Sequence, residues 1–191
     1  ALRRAAPEGQ HAGVKVAARH QLCRKISASI TEVPMPSPLI VPVNEIPTQE
    51  VFGIEKIRQM IPQRYEMEQL TGILLFDPQR KIAIGYKDIT PEEFWVRGHI
   101  PGRPLMPGVM MCESAAQLCS FYFRMCRPEA EGFLGFAGME NVRFRGTVVP
   151  GNRFIIVVKA ERIDTRVKVF DAQGIVKDRM VFEARIQGIG L

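Results

Sequence analysis

The 191-residue chain contains no internal repeat, no low-complexity run and no glycine-rich loop of the kind that cradles phosphates. A repeat array and a phosphate-loop nucleotide site are thereby excluded. It has no uninterrupted apolar run that would cross a bilayer, because Glu113, Gln117 and Arg124 break the one stretch long enough, so no membrane association is expected. The N-terminal residues lack the apolar core of a secretory signal. Cysteine is scarce: Cys112, Cys119 and Cys126 recur every seven residues, and Cys23 stands far away. On a helix that spacing separates successive thiols by about 10 Å, too far for a disulfide, and it matches no zinc pattern. Buried, reduced thiols in a cytoplasmic compartment are the reading, with no metal and no cofactor.

What is present is a globular composition, 46% hydrophobic, with a formal net charge of +6. Residues 1–34 hold six Lys or Arg against Glu8 and Glu32, so four of the six net charges belong to them. The basic balance is therefore a property of an arm, and the folded part is not expected to bind nucleic acid. That arm is Ala- and Arg-rich and aperiodic, which suits a flexible segment, a transit peptide, or residues ahead of a true start at Met35. Pro34, Pro36, Pro38, Pro42 and Pro47 then mark an extended linker. Residues 1–50 are thus read as a flexible arm and linker, and residues 51–191 as the folded domain.

The domain is organised around His99-Ile-Pro-Gly-Arg-Pro-Leu-Met-Pro-Gly-Val-Met-Met-Cys-Glu113, which leads into a helix starting near Met106 or Pro107. No Ser, Thr, Asp or Asn precedes that start, so its first N–H groups lack a side-chain cap. They are free for a ligand oxyanion unless water or a distant residue caps them, and Gly108 leaves the approach open. The helix is apolar on nearly every side and should be buried almost all round. Glu113, Gln117, Ser120 and Arg124 form a single polar stripe on it. A carboxyl group so placed suits a general acid, or a structural partner of Arg124 or of another chain.

Elsewhere, Ile54, Ile57 and Ile61 predict a short amphipathic helix that Pro62 stops. Leu70–Phe76 and Lys81–Ile89 predict a hairpin turning at Asp77-Pro78-Gln79-Arg80. Thr90-Pro91-Glu92-Glu93 reads as a helix start, with Phe94 and Trp95 packing ahead of the loop. Strands are predicted over 132–144, 153–163 and 166–189, the last turning at Asp171–Gly174. An α+β fold follows, with antiparallel strands wrapped around a long central helix.

The stretch from Gly98 to Gln117 closely resembles the signature of 3-hydroxyacyl-acyl carrier protein dehydratases of the FabZ type. Ile61-Pro-Gln-Arg-Tyr65, Asn141-Val-Arg-Phe-Arg145 and Val149-Pro-Gly-Asn152 extend the likeness over residues 54–187. Glu rather than Asp at position 113 fits this type. The resemblance implies a hot-dog fold and dehydration of (3R)-hydroxyacyl-acyl carrier protein to the trans-2-enoyl thioester in fatty acid biosynthesis. Acyl carrier protein is then a partner, and the chain a homodimer able to assemble as a trimer of dimers. His99 of one subunit faces Glu113 of the other in this reading, His99 as base and Glu113 as acid. The Gly108 N–H holds the thioester oxygen, and Gln117 steadies the carboxylate. Gln63, where the family usually has His, and Leu70-Thr71-Gly72 and Gly135 depart from the pattern in ways that bear on acyl preference and gating. Arg103, Arg143 and Arg145 are candidate contacts for an acidic carrier or are surface residues. The alternatives are a hot-dog hydratase or thioesterase acting on acyl-coenzyme A, and a non-catalytic acyl-binding regulator.

Overall fold

A helix with so little polar surface must be covered to persist in water, and the strands supply that cover. The structure is a computed structural model that describes residues 35–191; the basic arm, with His11, His20 and Cys23, lies outside the described residues. Six strands form one antiparallel sheet: β1 (Gly72–Asp77), β2 (Ile82–Asp88), β3 (Leu134–Phe144), β4 (Arg153–Arg162), β5 (Val167–Val176) and β6 (Arg179–Gly190). Their order across the sheet is β1-β2-β4-β5-β6-β3. Helix α1 (Ile54–Met60) and the long helix α2 (Gly108–Cys126) complete the architecture, with residues 37–191 in one compact unit.

Strand β4 shows how alternation builds two layers. Phe154, Ile156, Val158 and Ala160 join the main core around α2, where Leu118 and Phe121 are fully buried. Val157 and half-buried Ile155 point the other way, into a smaller cluster with Leu74, Ile82, Ile84, Tyr86 and Ile175. Gly85 lets α2 approach the sheet, since a Cβ there would lie 3.2 Å from Leu118 Cδ1. The helix is covered less completely at its start than its composition implies, and Val109 is 71% exposed.

The second cluster has its own cover. Val41 is buried within it, and Leu39, Ile40 and Ile46 pack against it, so the segment read from its prolines as a linker lies along the sheet's outer face. Two side chains of the sheet hold the segment. Gln173 Oε1 accepts from the Ile40 N–H at 2.8 Å and its Nε2 donates to the Pro38 carbonyl at 2.9 Å. Glu183 accepts from the Ser37 N–H at 3.2 Å and pairs with Arg145. Its carboxyl group is thereby held below the usual range, against the opposing effect of burial.

Two local expectations are corrected. Asp171–Gly174 does not turn: it lies inside β5, and the turn falls at Lys177-Asp178, whose φ values of 47° and 63° suit a two-residue hairpin. Gly174 serves close packing instead, for a Cβ there would sit 2.3 Å from Phe154 Cε2. Thr90 starts no helix either; the chain passes through successive turns, with Trp95 buried and Phe94 exposed. The four residues after Pro91 are followed by no apolar helical period, so a cap-like start has nothing to propagate. The first hairpin does turn at Asp77, whose Oδ1 accepts from the N–H groups of Gln79 at 3.0 Å and Arg80 at 2.9 Å.

Cys112 and Cys119 are free and buried, and burial pushes the Cys112 thiol up to about 11, so it stays neutral at pH 7. Among the described residues no helix is long and apolar enough to cross a membrane. Replacing Gln173 by Ala removes its two hydrogen bonds to Pro38 and Ile40 and should cost about 1–3 kcal/mol. The expected result is a lower denaturation midpoint in urea with an unchanged slope; an unchanged midpoint would show that the segment adds nothing to the fold.

Candidate active site

The loop before α2 is pinned at both ends. Trp95, 3% exposed, accepts the His99 N–H at 2.9 Å through its carbonyl, and the buried Met106 donates its N–H to Val148 at 2.8 Å. Between these anchors the exposed His99 ring has Nδ1 2.8 Å from the Leu105 carbonyl. A carbonyl oxygen only accepts, so Nδ1 carries the hydrogen and the neutral ring presents Nε2 as its free basic nitrogen.

Helix α2 begins at Gly108, with Pro107 as its cap position in extended conformation and no side-chain cap. The Met110 N–H returns to the Pro107 carbonyl at 2.9 Å. The first-turn N–H groups of Gly108 and Val109 therefore remain as donors at the positive end of the helix. The approach to Gly108 is narrower than the sequence implies. The Phe144 ring lies against it, so that a Cβ at position 108 would meet the ring at 2.8 Å.

Glu113 stands on the second turn, half-buried, and its Oε1 accepts from Gln117 Nε2 at 2.7 Å. Gln117, 1% exposed, is itself fixed on both sides. Its Nε2 donates to the Met67 carbonyl at 2.6 Å and its Oε1 accepts from the Gln69 N–H at 2.9 Å. This set of partners determines which end of the amide is nitrogen and aims the carboxylate. Glu113 Oε2 takes no hydrogen bond among the described residues.

A cavity of about 140 Å³ opens beside Glu113, between α2 and strands β3 and β6. Gln63 lines it and carries a buried Oε1 with no partner among the described residues. Glu113 and Gln117 are thus brought together, and Gly108 lies on the same helix about 7–8 Å along its axis. His99 lines no part of this cavity. Gln69, Met67 and Leu105 act through backbone groups, which leave no mark in residue type. Phe144 was equally illegible, because its part is a ring resting on a glycine. Of the candidate carrier contacts, Arg103 and Arg143 are exposed, whereas Arg145 is half-buried against Glu183.

Two solved structures share this architecture. The dehydratase heterocomplex ApeI:P from Xenorhabdus doucetiae matches with a TM-score of 0.60 at 15% identity, over 71% of this chain and 90% of that one. Cj0977, a sigma28-regulated virulence protein from Campylobacter jejuni, matches with a TM-score of 0.55 at 17% identity, over 75% and 95%. The fold is a hot-dog fold, one antiparallel sheet around a long helix that carries the site. Residues 61–185 match the FabA-like domain family. Curated relatives include the 3-hydroxyacyl-[acyl-carrier-protein] dehydratase FabZ of Desulfotalea psychrophila, 33% identical over 146 residues, or 75% of this chain and 97% of the relative. The FabZ of Dichelobacter nodosus is 34% identical over 144 residues, 71% and 94% of the two chains. The chain belongs to the FabA-like family and groups within it with the FabZ dehydratases.

The packing at Gly108 can be tested directly. Gly108→Ala should displace the Phe144 ring and cost about 1–3 kcal/mol. Phe144→Ala made in the same chain should remove most of that penalty; strictly additive losses in the double-mutant cycle would contradict the contact.

Proposed function

We propose that the protein is a cytoplasmic enzyme that removes water from (3R)-hydroxyacyl groups carried on acyl carrier protein, leaving the trans-2-enoyl thioester for fatty acid biosynthesis. Family membership supports the reaction class. The observation that carries the assignment of roles is the orientation of His99, whose Nδ1 is committed to Leu105 so that Nε2 can act as a base. In this reading Nε2 takes the C2 proton and the electron pair moves toward the thioester oxygen. The Gly108 N–H, at the positive end of α2, stabilises the charge that develops there. Glu113 Oε2, left free by the bond from Gln117 to Oε1, supplies the proton with which the 3-hydroxyl leaves as water.

The two groups meet, on this account, across a pair of subunits. The site of one chain is open: His99 stands in solvent, Phe136, which lines the cavity beside Glu113, is 54% exposed, and Phe144, which lies against Gly108, is 52% exposed. Both phenylalanines belong to β3, the strand at one edge of the sheet, and Val109 adds further apolar surface at the helix start. An exposed apolar edge of this kind is a place for a partner, and a second copy would bring its own His99 loop. Arg103 and Arg143 are exposed and suit an acidic carrier protein, while Arg145 is committed to Glu183.

His99→Ala and Glu113→Gln should each lower kcat on a 3-hydroxyacyl carrier-protein substrate by about 10²–10⁴-fold with the thermal midpoint unchanged. Activity within tenfold of the parent in either variant would contradict the assigned roles, and release of free thiol in place of enoyl product would assign the site to thioester hydrolysis.

A further inference from the structure

Between β2 and the turns that lead to His99 lies a nearly buried ion pair that the site as described does not use. Lys87, on β2, has its Nζ 3.2 Å from Glu93 Oε1, and the two side chains are only 14% and 8% exposed. Taking two charges out of water offsets most of their attraction, so the pair adds little stability of its own. Its neighbours give it another use. Lys87 Nζ also donates to the Glu68 carbonyl at 2.9 Å. The Glu68 carboxylate is the stronger acceptor, but Arg58 on α1 already holds it with two N–H donors, at 2.7 and 2.9 Å.

The carbonyl that Lys87 grips and the N–H that Gln69 gives to Gln117 belong to one peptide unit. That unit is planar and rigid, so a cation holding its oxygen also fixes the direction of its N–H. The cation polarises the unit as well, which strengthens the N–H as a donor. A line of contacts therefore runs from the ammonium through one peptide plane to the Gln117 amide and on to Glu113 Oε1. On its other side the ammonium holds the turns ahead of His99. The Glu93 carbonyl accepts the Val96 N–H at 2.9 Å, and the Trp95 carbonyl accepts the His99 N–H. We infer that Lys87 is a positioning residue for both reacting groups of its chain, holding Glu113 through the Glu68–Gln69 peptide and the start of the His99 loop through Glu93. This rests on the dehydratase reading, which gives those two groups their roles.

The test replaces the pair in the full chain by apolar side chains of similar volume, Lys87→Met with Glu93→Met, so that no charge is left buried alone. On a 3-hydroxyacyl carrier-protein substrate kcat should fall by about 10²-fold, the effect of misplacing reacting groups by about 1 Å, with KM within about twofold of the parent. Hydrogen exchange at the Gln69 N–H should become about tenfold faster or more, as its bond to Gln117 loosens. A folded double variant with the parent's kcat, a loss that lies in KM, or unchanged exchange at Gln69 would each overturn the inference alone. Glu93→Gln keeps the size and an acceptor, and it decides the matter should the double variant not fold. Its kcat should fall by about tenfold at unchanged KM, and turnover equal to the parent's would overturn the inference. Absence of turnover in the parent protein would overturn the dehydratase reading, and the inference with it.

Discussion

One buried amide fixes the geometry on which the site depends. Gln117 sits within the apolar interior, where an unpaired amide would cost several kcal/mol. It therefore needs its partners, and they come from two separate parts of the chain: the backbone of Met67 and Gln69, and the carboxylate of Glu113. Satisfying the amide ties the segment after α1 to the second turn of α2. The same bonds leave Glu113 with one oxygen held and one free. Structural necessity and site geometry are here a single set of contacts.

The central helix demanded a cover, and the fold can be understood as ways of supplying it. The inner face of the sheet gives residues to α2 with a period of two, and the outer face, equally apolar over β2 and β4, is closed by residues 37–50. Val109 at the start of α2 and Phe136 and Phe144 on the β3 edge are among the apolar side chains that face solvent. These three mark the borders of the site.

Much of this was legible in the residues, and the parts that were not share a cause. The apolar helix, the alternating strands and the Asp77 turn declare themselves through period and turn chemistry, which are local. The uncapped helix start was visible as the absence of any Ser, Thr, Asp or Asn before Pro107. The 37–50 segment was not visible, because its prolines describe its extended backbone and say nothing of the sheet beneath it. Gly174 resembled a turn residue, but its role is to admit Phe154, a residue twenty positions away. The Leu105 carbonyl that orients His99 and the Gln69 N–H that fixes Gln117 are backbone groups, which any residue could have supplied.

The proposed site draws His99 from one subunit and Glu113 from the other, a reading supported by the absence of His99 from the lining of the cavity beside Glu113. The most direct measurement mixes two inactive variants, His99→Ala and Glu113→Gln, under conditions where subunits exchange. In a two-fold dimer with each site built from both chains, one site of every hybrid carries both intact groups, so activity should return to about a quarter of the parent level. A mixture that stays as inactive as its components would contradict the shared site.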